Sequence, residues 1–560
     1  MSDMSSSAVN VIPVRDPSGV VHTDDPEGTH PGSETALISP QRQDDDAESG
    51  TPPGDLPDAL PDSPRPKGGV LRRVEWATMA ATTAAILVNS YRYRHIQLDD
   101  AYIYGRYFKN FDTGHGLVFN PGVRFDGLTS PLYAYLMLSI SWMFSNPMQA
   151  AVAVSAVGMI AAAWLMYYFG KLRGDGAAYA LGLLVGFSMP YFYSTYGMET
   201  SLLLTLIAAC LVLYQQQRYG LLAACGGLLV LTRTEAGVLL VVLALEHVIE
   251  KRKWPSWKVL IAPALFVATT AVFNLVYFGA ALPGTGTAKM GQGESGLWGN
   301  SWPLFAQVQY FTQDYFLNHF KVVLVLGALA ALGIAASLRR ARPLFLFCVL
   351  LMAFYCVIDV PDYNWYYAPL FFGFYCFVGA GLVRLGALAA LVVRGARPRA
   401  TVAGAVAIGL TVAIAGLSIS KDSVLTPGDP RNTMNSDAGK WMAAHLPAGA
   451  SVSAVEVGAT GYYSNQNIID ILGLVTPQNA QFIADRRFTE WLTVYHPEYY
   501  LVHAGFWSQE IAVKDLVLRN ALWINPSFPV AGMTLLCLPH TSGCSAMTSK
   551  QRASLLGLSS

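Results

Sequence analysis

Hydrophobic runs of membrane-spanning length, each on the order of 20 residues, recur through the middle of the chain, separated by short charged or glycine-rich links. They fall at 76–96, 148–170, 177–197, 200–217, 219–233, 236–250, 258–278, 321–338, 343–359, 367–386 and 401–419. The runs at 219–233 and 236–250 are short, so they are expected to tilt or to pair tightly. Basic residues cluster in alternate links: Arg72 and Arg73, Lys171 and Arg173, Arg218, 251–253, Arg339, Arg340 and Arg342, then Arg394, Arg397 and Arg399. Such links stay on the cytoplasmic side. The stretch 131–147 is also apolar, but counting it as a span would invert every later basic link. It is read instead as a short helix in the outer interface. The expected architecture is a polytopic α-helical membrane protein of about eleven spans, with its N-terminus cytoplasmic and an outer juxtamembrane helix.

The two ends have different patterns. Residues 1–70 are rich in Pro, Gly, Ser and Asp and nearly without aromatics, the composition of a disordered cytoplasmic tail. Residues 420–560 alternate candidate strands (451–457, 468–471, 499–503, 532–538) with amphipathic helices (436–445, 479–485, 489–496). Strands interleaved with helices predict a small α/β domain, here extracytoplasmic. The expected division is a tail at 1–70, a membrane catalytic domain at 71–419 and the α/β domain at 420–560.

Composition supports this class. The chain is 53% hydrophobic and 13% charged, against about 25% charged in soluble domains. A formal net charge of zero gives no reason to expect nucleic acid as a partner. The first long apolar run begins near Trp76, so no cleavable leader is expected. Cys210, Cys225, Cys348, Cys356 and Cys376 lie in apolar runs and read as packing residues. Cys537 and Cys544 flank a polar turn in the exported part, where a local disulfide can close.

With this orientation the ionisable residues that need explaining collect at the outer face. Asp99 and Asp100 open an amphipathic helix whose polar face carries Asp99, Tyr102 and Arg106, opposite Ile103, Tyr107 and Phe111. A loop rich in glycine, asparagine and hydroxyls follows, with His115, Asn120, Arg124 and Thr129. Paired carboxylates at membrane depth are candidates for a base or for metal ligation; a solvated interfacial helix is the simpler alternative. Glu199 sits where one span ends and the next begins, placed either by the helix N-terminus or as a second acidic group. Arg233 and Glu235 lie between two short spans, either as a buried ion pair or with Arg233 forking onto a phosphate. Thr285 and Lys289 belong to a Gly/Thr-rich turn able to meet an anion, or to a loop with a solvated lysine. Asp362, Tyr363, Asn364, Trp365, Tyr366 and Tyr367 form either an aromatic belt or a surface for a sugar ring. No Ser/His/Asp triad, cysteine nucleophile or zinc spacing is present.

In order, these motifs are Asp99-Asp100, the run from Asn110 to Asn120 (Asn-x-x-x-Gly-His-Gly-x-Val-Phe-Asn), Thr129-Ser130-Pro131, Gly197-Met198-Glu199-Thr200, Thr232-Arg233-x-Glu235, and Leu282-Pro283-Gly284-Thr285 leading to Lys289. The set resembles the GT-C superfamily of membrane glycosyltransferases, and within it the terminal β-(1→2)-arabinofuranosyltransferase family of mycobacterial cell walls. The resemblance covers about residues 72–380, with a weaker echo from Gly458 to Gly473. It implies inverting transfer of a sugar from a polyprenyl-phosphate donor, with decaprenyl-phosphate-arabinose expected, to a glycan acceptor at the outer face of the plasma membrane.

By that resemblance Asp99 or Asp100 is the base, Asp99 preferred, and Glu199 a second acid. Arg233 and Lys289 hold the donor phosphate, and Tyr102, Arg106, His115, Asn120, Glu235, Thr285 and Tyr366 line the substrates. Mg²⁺ or Mn²⁺ on Asp99, Asp100 and Glu199 is compatible with it. The segment 362–367 departs from the family pattern, which expects Gly-Gly-Asp and an arginine there; this bears on the donor sugar. A transporter or flippase of a lipid-linked sugar is the rival reading, as is a sensor built on the outer domain. Charges gathered at one face, without an internal repeat, favour the enzyme.

Overall fold

The computed structural model describes residues 68–558 apart from 96–97, 145, 298–319, 359–360, 362 and 421–429. The expected tail at 1–70 falls almost wholly outside the described residues, as do Asp359, Asp362 and the second half of the 279–320 link.

The membrane part consists of helices α1 (Gly68–Arg92), α2 (Asp99–Asp112), α3 (Pro131–Ile140), α4 (Pro147–Leu172), α5 (Gly176–Ser188), α6 (Tyr191–Ser194), α7 (Thr200–Gln215), α8 (Tyr219–Thr232), α9 (Val238–Lys251), α10 (Ile261–Phe278), α11 (Gly284–Ser295), α12 (Phe320–Ile358), α13 (Ala368–Ala389) and α14 (Ala396–Ser420). Among the described residues, five helices are long and apolar enough to cross a membrane: Pro147–Leu172, Trp257–Phe278, Val322–Ile358, Trp365–Val392 and Ala396–Leu417. Three more, Gly176–Ser188, Thr200–Gln215 and Tyr219–Thr232, are apolar but shorter.

Local signals account for several boundaries. Pro131 starts α3 behind Ser130, whose hydroxyl caps Tyr133 N, and the helix ends after ten residues, too short to span. Pro147 starts α4 in the same way behind Asn146. Glycines let the helices touch: a Cβ at Gly379 of α13 would collide with the Ala178 carbonyl of α5. This is the small-residue contact that membrane helices use, since lipid gives no hydrophobic drive for their association.

Two expected spans, 321–338 and 343–359, form one uninterrupted helical run, α12, with Pro343 inside it. The run is not straight. Gly333 packs on Phe377 of α13 and Cys348 on Gly373 of the same helix. A straight helix would carry Cys348 about 22 Å past Gly333, yet their partners lie only a turn or so apart on α13, so the run bends between them, next to the proline. Arg340 bonds Asp175 there at 2.6 Å, and Arg342 bonds the buried Glu246. Charged residues of the 339–342 stretch, of the α4–α5 link and of α9 thus gather at one end of the bundle.

The C-terminal domain comprises α15 (Pro430–His445), β1 (Ser451–Ala454), α16 (Gly458–Ser464), β2 (Asn467–Asp470), α17 (Asn479–Ala484), α18 (Glu490–Tyr495), β3 (Tyr499–His503), α19 (Ile511–Leu518), β4 (Trp523–Ile524), β5 (Met533–Cys537) and α20 (Ser549–Leu555). The sheet order is β2-β1-β3-β5-β4. Strand β1 is parallel to β2 and β3, and β5 is antiparallel to β3 and β4. Alternate residues point to opposite faces: Tyr499 and Leu501 join the core shared with the membrane helices, while Tyr500 and Val502 join a second core around Trp491. Both faces are buried, which explains the unbroken apolar run of β3. Cys537 and Cys544 form a disulfide at the end of β5.

Candidate active site

The site is organised by α2, and its two leading carboxylates have different fates. Asp99 is engaged with the C-terminal domain: its Oδ2 accepts from Gly458 N at 2.6 Å and its Oδ1 from Ala459 N at 2.8 Å, at the start of α16. The backbone of α16 comes so close that a Cβ at Gly458 would strike the Asp99 carbonyl. Burial, and secondly the charge of Glu456, push Asp99 up to about 7 against the pull of those two N–H groups. Asp100, one residue on, turns away from this contact. Its Oδ2 lies 3.9 Å from Lys289 Nζ, beyond hydrogen-bond distance, and its side chain is 26% exposed. The preference for Asp99 as base therefore moves to Asp100, because both oxygens of Asp99 are already bonded.

Lys289 comes from α11. The expected Gly/Thr-rich turn is helical, and Gly291 packs on the Ala480 carbonyl of α17. The lysine is buried, its ammonium 3.7 Å from the centre of the Tyr363 ring and 5.7 Å from that of Trp365. Tyr363 stacks on Trp365 at 4.7 Å and meets Tyr366 edge-on at 6.0 Å. Arg233 lies over the Tyr366 ring at 4.6 Å. One aromatic stack thus carries both cations.

Arg233 itself is closed off. Its Nη1 donates to Glu199 Oε1 at 2.9 Å and its Nη2 contacts Glu235 Oε1 at 2.5 Å, with Arg233 and Glu199 both buried. Tyr104 donates to Glu199 at 3.3 Å and Tyr355 to Glu235 at 3.2 Å. The guanidinium expected on the donor phosphate is held by two carboxylates, and Glu199 and Glu235 are its partners. Thr285 is buried at the start of α11.

Three residues expected on the substrate hold the fold instead. Arg106 is fully enclosed; it donates to Phe119 O (2.6 Å), Gln466 O (2.5 Å), Asn120 Oδ1 (3.0 Å) and Gly461 O. Asn120 also pairs with both backbone groups of Ile468 in β2. Tyr102 packs on Tyr462 and Tyr463. Tyr102 and Arg106 share a face of α2 with Asp99, as the spacing predicts, but that face docks the C-terminal domain. His115 sits in an exposed turn, bonded to Thr113 at 3.0 Å.

Residues that sequence reasoning did not select also shape the region. Asp126 is buried, accepting from Leu128 N and from Asn274 of α10 at 3.0 Å; burial pushes it up to about 7. Asn274, a lone amide inside an apolar helix, was the available signal. In the C-terminal domain, His503 lies between Glu510 (2.8 Å) and Glu456 (3.5 Å) and stacks on Trp507.

The metal set suggested by the resemblance does not converge. Asp99 is bonded to backbone N–H groups and Glu199 to Arg233, which leaves Asp100 alone. Among the described residues no group of three His, Cys, Asp or Glu side chains is placed to hold a metal ion.

Comparison with known proteins gives three findings. A family described as a domain of unknown function (DUF8728) matches residues 428–539, most of the C-terminal domain. The terminal β-(1→2)-arabinofuranosyltransferase of Mycobacterium tuberculosis (strain ATCC 25618 / H37Rv) is 27% identical over 314 residues, 52% of this chain and 47% of that protein, so the chain spans about half the length of this relative. The oligosaccharyltransferase of Archaeoglobus fulgidus, solved in the apo form, superposes with a TM-score of 0.50 at 14% identity over 85% of this chain and 75% of that one. Its complex with Zn and sulfate superposes equally well, at 0.50 and 12% identity over 86% and 76%. The chain is a multi-pass membrane protein with the GT-C fold of membrane glycosyltransferases.

Proposed function

We propose that the chain transfers a sugar from a lipid-phosphate donor to a hydroxyl of a cell-envelope glycan, with Asp100 as general base and Lys289 at the donor phosphate. The observation that carries this reading is the open Asp100–Lys289 pair at 3.9 Å, set against the Tyr363–Trp365 stack. A sugar hydroxyl is a poor nucleophile, and a positioned carboxylate that takes its proton contributes about 10²–10⁴-fold. The departing phosphate gains charge, which an ammonium in a water-poor setting stabilises. Direct attack inverts the anomeric centre. Tyr363 and Trp365 offer flat apolar faces to a sugar ring, while Arg233, held by Glu199 and Glu235, supports that stack from below Tyr366.

Arabinofuranose carried on decaprenyl phosphate is the favoured donor, supported by the mycobacterial relative. The favoured placement is the plasma membrane, N-terminus cytoplasmic, with the pair and the C-terminal domain outside. The gathering of Arg173, Arg340 and Arg342 at the far end of the bundle supports that orientation. The test is incubation of purified protein with a panel of polyprenyl-phosphate sugars, with and without chelator, for wild type and Asp100→Asn. Transfer from one donor, lost in the variant, supports the reading; undiminished transfer by Asp100→Asn refutes it.

A further inference from the structure

The end of the bundle opposite the Asp100–Lys289 pair carries a second feature, and the reading above gives it no role. Between α5, α12 and α13 lies a cavity of about 610 Å³, within the range of small-molecule sites. Its position follows from α13: Tyr366 and Tyr367 precede the first turn of that helix, whereas the cavity is lined by its last turns, including Arg384 and Ala387. The walls are largely short apolar side chains, Ala336 and Ala387 among them, both exposed. At the mouth stand Arg340 and Arg384, with Asp175 as the acidic lining residue.

The charges at this mouth do not balance. Asp175 bonds Arg340 Nη1 at 2.6 Å, and the backbone carbonyl of Arg340 accepts from Arg173 Nε at 2.6 Å. Arg173 is further tied to the neutral Gln215 at 2.7 Å. Arg384 is exposed and has no ion pair or hydrogen bond among the described residues. Of the two arginines lining the cavity, Arg340 is thus paired with Asp175 and Arg384 has no partner among the described residues, a positive charge beside an apolar groove in the membrane-facing part of the molecule. A soluble anion would satisfy Arg384 and leave the groove open to water or acyl chains. A hydrocarbon chain would fill the groove and leave Arg384 unmatched. A phospholipid with a net negative charge does both, its phosphodiester meeting guanidinium donors and an acyl chain lying along the alanines.

We infer that this cavity is a binding site for an anionic phospholipid, with Arg384 and Arg340 on the headgroup phosphate and one acyl chain in the α12–α13 groove. Each basic side chain near such a headgroup contributes on the order of fivefold in affinity, and charge reversal removes more. The experiment uses the full-length protein in a neutral detergent, with thermal unfolding followed as phosphatidylglycerol, phosphatidylcholine or soluble glycerol phosphate is titrated. Wild type, Arg384→Glu and Ala336→Phe are compared; the last fills the groove without touching the charges. Both substituted positions are exposed, so neither change disturbs the core.

The expected result is stabilisation by phosphatidylglycerol at concentrations at least fivefold below those needed for phosphatidylcholine. That preference should vanish in Arg384→Glu, and phosphatidylglycerol binding should weaken in Ala336→Phe. Equal responses to the two lipids in wild type, or an unchanged preference in Arg384→Glu, overturn the proposal. Full stabilisation by glycerol phosphate alone overturns the lipid as occupant. None of these readouts involves sugar transfer, so the outcome is separate from that of the Asp100→Asn test.

Discussion

Arg106 is the most direct test of how the two parts of the molecule are joined. It is a buried cation with no carboxylate partner among the described residues; its charge rests on the carbonyls of Phe119, Gly461 and Gln466 and the amide oxygen of Asn120. Gly461 and Gln466 belong to the C-terminal domain, the other two to the loop after α2. Replacing Arg106 with Lys keeps the charge but loses the planar fork, and one ammonium cannot reach four acceptors spread around a guanidinium. Two or three of these bonds are lost at about 1 kcal/mol each, more where the acceptor is left dry, giving a loss of about 2–4 kcal/mol. The effect should be concentrated on docking. In limited proteolysis of the full-length protein, the C-terminal domain should be digested faster in Arg106→Lys, and thermal unfolding should begin earlier. A substrate-binding role predicts the reverse pattern: unchanged proteolysis and unfolding with a raised KM for donor or acceptor. That pattern would refute the docking assignment.

Other consequences follow from the site. Lys289→Met should raise the KM for a lipid-phosphate sugar by about tenfold or more and leave unfolding nearly unchanged, since its partner Asp100 is partly solvated; an unaltered KM argues against a phosphate contact. Arg233→Leu should cost about 3–5 kcal/mol, because it leaves Glu199 and Glu235 facing each other without a cation, and denaturant titration reads this directly. His503 gives a pH signature. Burial opposes its charge, but Glu456 and Glu510 outweigh burial and raise it from 6.5 to about 9. The stabilisation is fully present below about pH 6.5 and is lost as pH climbs through about 9. His503→Gln should flatten that decline, and an equally steep decline in the variant would show that other groups cause it.

The parts of the molecule legible in the sequence are those encoded by periodicity and composition. The apolar runs, the strands at 451, 468, 499 and 533, and the shortness of the 131–140 helix all follow from residue patterns that act locally. The two arms of α12 were visible as apolar runs, but not that they form one helical run, because Arg339, Arg340 and Arg342 read as a loop when they can instead remain helical while bonding Asp175 and Glu246. The site was legible as a set of residues and not as a set of bonds. Spacing correctly placed Asp99, Tyr102 and Arg106 on one face of α2. It could not show that this face meets Gly458, Ala459 and Gly461, because the partners are backbone atoms 355 or more residues away that leave no mark in side-chain chemistry. Arg233 illustrates the same limit: an arginine two residues from a glutamate reads equally as an anion site or as an ion pair, and only the position of Glu199 decides.

The capture of Asp99 by the start of α16 also bears on how this protein can be recombined with its relatives. A chimera cut between 420 and 430 separates the chain at its compositional border, yet it splits an interface in which Asp99, Arg106 and Asn120 recognise the backbone of the other half. A foreign C-terminal domain grafted there would have to present N–H groups and carbonyls at the same positions to three side chains it never evolved with. The exchangeable unit therefore includes α2 and the loop to Asn120 as well as the distal domain, so a functional graft carries two separate segments, one before α3 and one after α14 in the chain.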